Sequence, residues 1–215
     1  MNEINQDYIE NYLFENLKPK DELLERLEKE AHKNHVPIVT PEVAQFLRFF
    51  VTLKKPKNIL EIGTAIGYSG ITMLQVSSHI EKLTTVEIRE STATKAMENF
   101  KLAGLEDKVE IIIGDGREVL ESLEGSFDFV FIDAAKGHYH EYFEEAMRLL
   151  APNGVIICDN VLYKGMVAKD ELVERRKKTI VKRLRKFIKD VMHLENYEST
   201  LIPMGDGLLV SVRLN

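Results

Sequence analysis

Between residues 58 and 158, short apolar runs alternate with helix-like stretches, and that alternation leaves few folds open. The runs are Asn58–Ile62, Leu83–Ile88, Val109–Ile113, Phe127–Asp133 and Val155–Cys158. Tyr68–Ser78, Glu90–Ala103, Arg117–Leu123 and Tyr139–Leu150 separate them. Strands joined through helices run parallel, because the helix carries the chain back to the end where the previous strand began. Near-continuous Val, Ile, Leu and Phe fits strands covered on both faces. The expected architecture is α/β: a Rossmann-like, doubly wound, mostly parallel sheet. Tyr197–Ile202 and Leu208–Arg213 flank Pro203-Met204-Gly205-Asp206-Gly207 and predict a C-terminal antiparallel hairpin that brings the sheet to seven strands.

Upstream, residues 6–35 read as two amphipathic helices broken at Lys18-Pro19. The second carries Leu23, Leu24, Leu27 and Ala31 near helical spacing. Thr40 can cap a third, with Pro41 at its first position and Val43, Phe46, Leu47 and Phe50 facing inward. A chain of 215 residues suits one domain, here residues 1–54 as N-terminal helices and 55–215 as the core.

No apolar stretch approaches the roughly 20 residues that cross a bilayer, so no membrane partner is expected. The acidic start, MNEINQDYIE, lacks the regions of a signal peptide. Cys158 is the single cysteine and lies in an apolar run, which fits a reducing cytoplasm. Net charge is −6, unevenly spread: residues 163–189 hold eleven Lys/Arg against three Asp/Glu, about +8, leaving about −14 elsewhere.

Several acids and glycines fall at the predicted strand ends. Glu61-x-Gly63-x-x-x-Gly67 follows one strand and opens a helix, where glycine permits a sharp bend and close approach of a ligand. It lacks the Gly-x-Gly-x-x-Gly spacing of dinucleotide sites, and a turn chosen for packing alone is the plainer alternative. Glu87 ends the next strand, where a carboxylate can accept from both ribose hydroxyls. Asp115, in Gly114-Asp115-Gly116, ends the third, where it can accept from an adenine amino group. Asp133, Asp159 and Asn160 end two further runs. If these are neighbours, three hard oxygen ligands converge, a set suited to Mg²⁺ or Mn²⁺; a polar turn is the alternative. His138-x-His140 does not place both rings on one helix face, and both read as structural or surface residues.

In combination, Leu60–Ser69 (LEIGTAIGYS), Val86-Glu87, Gly114-Asp115, Phe131–Lys136 (FIDAAK) and Asp159–Leu162 (DNVL) resemble the metal-dependent O-methyltransferases of the catechol and caffeoyl-CoA type. The resemblance covers roughly residues 36–215. It implies a class I methyltransferase fold, S-adenosylmethionine as cofactor and a homodimer. It also implies that Val39, Glu61, Gly63, Ser69, Glu87, Asp115 and Asp133 contact the cofactor, and that Asp133, Asp159 and Asn160 hold the metal. Lys136 stands in the family's position for a lysine near the acceptor hydroxyl, as general base or as oxyanion stabiliser.

For the acceptor, the basic segment is the internal clue. A helix is expected from Lys169 to Val191, with Val173, Ile180, Leu184, Phe187, Ile188 and Val191 inward. Arg175, Lys178, Lys182, Arg185 and Lys189 then recur every three or four residues as one cationic stripe suited to phosphates. A solubilising helix face is the plainer alternative. The whole chain resembles the bacterial tRNA 5-hydroxyuridine methyltransferases within the family, which implies a tRNA anticodon loop as partner and 5-methoxyuridine as product. A small catechol or phenylpropanoid acceptor, or a noncatalytic RNA-binding role on the same fold, are the competing expectations.

Overall fold

The computed structural model describes residues 4–214. Its N-terminal helices are α1 (Asp7–Glu15), α2 (Glu22–Asn34) and α3 (Pro41–Lys54). Asp21 caps α2 by accepting from the Leu24 amide at 2.8 Å. Thr40 precedes α3 without a side-chain cap, and Pro41 supplies the preset first turn.

The alternating region gives β1 (Asn58–Ile62), α4 (Tyr68–Leu74), β2 (Lys82–Glu87), α5 (Glu90–Leu102), β3 (Val109–Ile113), α6 (Gly116–Ser122), β4 (Phe127–Ile132), α7 (Tyr139–Leu149) and β5 (Leu150–Cys158). After it come α8 (Lys178–Val191), β6 (Tyr197–Ile202) and β7 (Leu208–Arg213). The seven strands lie in the order β3-β2-β1-β4-β5-β7-β6. β1 to β5 are parallel, and β7 runs antiparallel to both β5 and β6. The doubly wound sheet with its antiparallel C-terminal hairpin is as expected.

Strand periodicity divides the core in two. Ile59, Leu83, Phe129, Val155 and Ile157 pack on the face under α2 to α5, whereas Leu60, Ile62, Val130, Ile132 and Ile156 pack against α7 and α8. Both faces of the central strands are therefore dry, which is why those strands show no polar alternation.

Three boundaries differ from expectation by four residues or more. α4 stops at Leu74, four residues early, and β5 starts at Leu150, five residues early, pairing with Phe127 beyond a register irregularity. The largest change is in the basic segment, where the helix begins at Lys178 rather than Lys169. Asp170–Leu172 and Arg175–Lys177 form single 3-10 turns, and Glu174 between them is extended. Arg185 on the helix donates to Met166 O and Val167 O and pairs with Asp170, so this stretch is held alongside the helix instead of extending it. Val181, not predicted, is buried with Leu184, Phe187, Ile188 and Val191; Val173 lies off the helix. Among the described residues no helix is long and apolar enough to cross a membrane.

Candidate active site

The chain winds outward from β1 to β3, then returns to place β4 on the other side of β1. At this reversal the connections leave in opposite directions and open a crevice at the carboxyl ends of the strands. A cavity of ≈ 500 Å³ lies there.

Backbone hydrogen bonds continue past the strand ends and fix the residues around it. The Gly63 amide donates to Val86 O (3.0 Å), Gly114 to Glu87 O (3.0 Å), Asp133 to Ile62 O (2.9 Å) and Asp159 to Ile132 O (2.9 Å). Each site residue is thus held by the strand beside its own. Gly63 has φ +108°, and a Cβ added there would stand 2.1 Å from the Asp133 carbonyl oxygen. The turn after β1 and the end of β4 therefore meet with no room for a side chain.

Gly63, Glu87, Asp115, Asp133, Lys136 and Asn160 all line this one cavity. Glu87 is nearly buried, and its carboxylate accepts from the Ala65 amide at 3.1 Å and the Arg89 amide at 3.0 Å. Asp115 caps α6 through the Arg117 amide and takes a two-pronged bond from the Arg117 guanidinium at 3.1 and 2.9 Å. Those bonds hold its carboxyl down at about 2.

The structure separates the remaining cofactor candidates from the wall. Glu61 is fully buried below it and accepts from Ser69 Oγ (2.5 Å) and Thr85 Oγ1 (2.6 Å). Strand periodicity is the reason: Glu61 shares the face of Ile59 and lies under α4, and Ser69 reaches down from that helix. Val39 is buried in the core, whereas its neighbours Pro37 and Ile38 line the cavity. Ile88, His138 and Tyr142, which the sequence motifs do not single out for this role, also line it. His138, expected to be structural or at the surface, directly precedes the helix carrying Tyr142 and meets that ring edge-on, 6.2 Å between centroids. An i, i+4 aromatic pair straight after the Asp133 loop was the available signal.

Burial raises Glu61 from its ordinary 4.5 to about 7, with the Ser69 and Thr85 hydroxyls opposing the shift. A carboxyl raised in the folded state keeps its proton there after the unfolded chain has lost it. Stability therefore falls as pH rises from about 4.5 to 7 and levels off above, a loss of about 3 kcal/mol from this group. Urea unfolding of Glu61→Gln across that range should lack this component of the wild-type slope. Parallel slopes in the two proteins would refute the assignment.

Asp133, Asp159 and Asn160 come together at the ends of β4 and β5. Asp159 is 1% exposed; its Oδ1 accepts from the Asn160 amide at 2.6 Å, and its carbonyl accepts from the Tyr139 hydroxyl at 2.7 Å. Asn160 adopts a left-handed φ of 53°, and its Oδ1 accepts from Lys136 Nζ at 2.7 Å. Burial pushes both carboxyls upward, Asp159 further because Asp133 repels it, while Lys136 draws both down. No cluster of three or more His, Cys, Asp or Glu side chains suited to a metal occurs among the described residues. The available set is the buried Asp159 carboxylate, the half-buried Asp133 carboxylate on the cavity wall and an amide oxygen. Those donors fit a hard divalent cation, whose charge would relieve their repulsion.

Of the cationic stripe, Lys178, Lys182, Arg185 and Lys189 do share one side of α8, but Arg175 lies before the helix. Arg185 bonds to backbone carbonyls and to Asp170 rather than facing solvent freely. Arg183 donates to Gly137 O (3.0 Å), which brings α8 against the loop carrying Lys136.

The O-methyltransferase family model matches residues 15–214. This chain belongs to that family. It is 39% identical over 140 residues to a catechol O-methyltransferase of Niastella koreensis, a match spanning 63% of each chain. With a caffeoyl-CoA O-methyltransferase of Stellaria longipes the identity is 32%, over 71% of this chain and 66% of that one. Among solved structures, an O-methyltransferase from Bacillus cereus in complex with SAH superposes with a TM-score of 0.82 at 32% identity, covering 96% of this chain and 97% of that one. TomG of Streptomyces achromogenes, an O-methyltransferase in complex with SAM, gives 0.85 at 26% identity with complete coverage of both. Within such a family member, the switch-point cavity is the candidate place for donor and acceptor to meet.

Proposed function

We propose that this chain transfers the methyl group of S-adenosylmethionine to a hydroxyl oxygen, assisted by Mg²⁺ or Mn²⁺ at Asp133, Asp159 and Asn160. One observation carries the reading: Gly63 of the glycine turn, the ribose-type acid Glu87, Asp133 and Asn160 line one cavity, Asp159 is buried beside Asn160, and Gly63 and Asp133 touch. A divalent cation bound there would supply Lewis acidity that favours the ionised acceptor hydroxyl. Glu87 and Asp115 offer carboxylates to the nucleoside portion, and Gly63 leaves room for the donor to approach the backbone. Lys136, held at Asn160 Oδ1, brings an ammonium beside the trio, where it can stabilise negative charge on the acceptor oxygen.

The acceptor we favour is 5-hydroxyuridine at the tRNA wobble position. Support comes from the basic segment's position: Lys177 and Lys136 lie 5.6 and 6.0 Å from the centroid of the same Tyr163 ring. Cations therefore begin at the oxygen trio and continue along α8, where phosphates of an anticodon loop could follow them. A small catechol-type acceptor is the second reading, favoured by the relatives' names.

Labelled S-adenosylmethionine, offered with tRNA bearing 5-hydroxyuridine or with catechol, with and without Mg²⁺, tests both. Metal-dependent label in the wobble nucleoside is the expected result. Label in catechol alone would move the substrate to small phenols. No transfer to either acceptor under any metal condition would overturn the proposal.

A further inference from the structure

Residues 160–170 leave β5 and form an arch beside the oxygen trio, with an unusual backbone. Tyr163, Lys164 and Gly165 are consecutively left-handed, with φ of 48°, 55° and 76°. For tyrosine and lysine this costs on the order of 1 kcal/mol each or more, so the surroundings must impose it. Two anchors do. The β6–β7 turn grips the start: Val161 N donates to Gly207 O (3.0 Å), Leu162 N to Asp206 O (3.0 Å), and Lys164 N to Asp206 Oδ1 (2.5 Å). A Cβ at Gly207 would meet the Leu162 side chain at 2.3 Å, so the two segments are in close contact.

Arg185 on α8 grips the other end. Its Nε donates to Val167 O (2.9 Å) and its Nη2 to Met166 O (3.1 Å), and Nη2 pairs with Asp170 Oδ1 at 2.6 Å. One guanidinium thus ties three points of the arch. The planar fork of arginine can do this; a lysine ammonium, a single point on a flexible stem, cannot reproduce it. Tyr163, beside Lys136, lies within the first anchor and three residues before the first carbonyl that Arg185 holds, and Asn160 directly precedes the anchored stretch.

We infer that Arg185 is a positioning residue for methyl transfer, holding the strained arch so that Asn160 and Tyr163 keep their places beside Lys136. It is not a phosphate contact, although it repeats in register with Lys178, Lys182 and Lys189. This inference rests on the methyltransferase reading of the cavity for its kinetic consequence. Its structural consequence stands without that reading.

The test compares Arg185→Ala and Arg185→Lys in the full chain, on whichever acceptor the wild type methylates. A positioning clamp predicts a loss of about 10- to 100-fold in kcat/KM for both variants, because sub-ångström misplacement of reacting groups is costly. Affinity for S-adenosylmethionine, bound across the far side of the cavity at Glu87 and Asp115, should stay within about threefold by calorimetry, since those side chains do not touch the arch. A role through charge alone would leave Arg185→Lys close to wild type, and that result would overturn the inference. Hydrogen exchange separates this failure from failure of the proposed function. Even if the wild type methylates neither acceptor, amides of residues 161–170 should exchange faster in both variants. Unchanged exchange there would overturn the clamp by itself.

Discussion

Gly63→Ala is expected to lose at least about 3 kcal/mol of folding stability, together with measurable affinity for S-adenosylmethionine. Two costs combine. A φ of +108° lies outside the regions alanine adopts readily, and the new Cβ would stand 2.1 Å from the Asp133 carbonyl oxygen. That obstacle is backbone at the end of a central strand, with Asp133 N bonded in turn to Ile62 O. Relief therefore requires β1 and β4 to part at their ends, which displaces the Asp133 carboxylate and widens the turn meant for the donor. Urea denaturation followed by far-ultraviolet dichroism measures the first loss, and calorimetric titration the second. A Gly63→Ala protein with the wild-type denaturation midpoint and affinity would show that the turn is looser than the structure has it.

The second large effect distinguishes the two neighbouring aspartates. Asp159→Ala should reduce metal-supported methyl transfer by about 10³-fold or more, since Lewis-acid assistance is worth several kcal/mol, while affinity for S-adenosylmethionine stays near wild type. Asp133→Ala should lose both. Their positions account for the difference: Asp133 adjoins Gly63 beneath the donor turn, whereas Asp159 stands one strand further along, behind Asn160 and Tyr139. Neither substitution needs to harm the fold, because each removes one of two neighbouring carboxylates that repel each other. Equal loss of cofactor affinity in both variants would contradict the division.

Much of this site was legible because strand ends are. Where helix and strand alternate, every apolar run finishes at the same edge of the sheet. Strand periodicity alone thus gathers Glu87, Gly114-Asp115, Asp133 and Asp159-Asn160 at one edge. Glu61 and Ser69 were harder to place. They fall within the same motif, but Glu61 lies inside β1 on the face covered by α4, so its carboxylate points into that layer and bonds Ser69 and Thr85. For His138 and Tyr142 the i, i+4 spacing shows only that the two rings share one side of a helix; that this side meets the cavity depends on how α7 leaves the Asp133 loop.

The basic segment shows the same division more sharply. Residue spacing placed Arg185 in one register with Lys178, Lys182 and Lys189, and on α8 that register is real. What it could not contain is the arch of residues 160–170 passing within reach of one of the four. By itself, then, the sequence determined the parallel sheet, the edge at which its acids collect and the side of the helix on which its cations lie, because these follow from local periodicity. The tertiary structure alone decided which acids share the cavity, which turn beneath it, and which cation is spent on backbone carbonyls. Those outcomes depend on contacts between segments far apart in the chain, and periodicity within a segment carries no information about its neighbours.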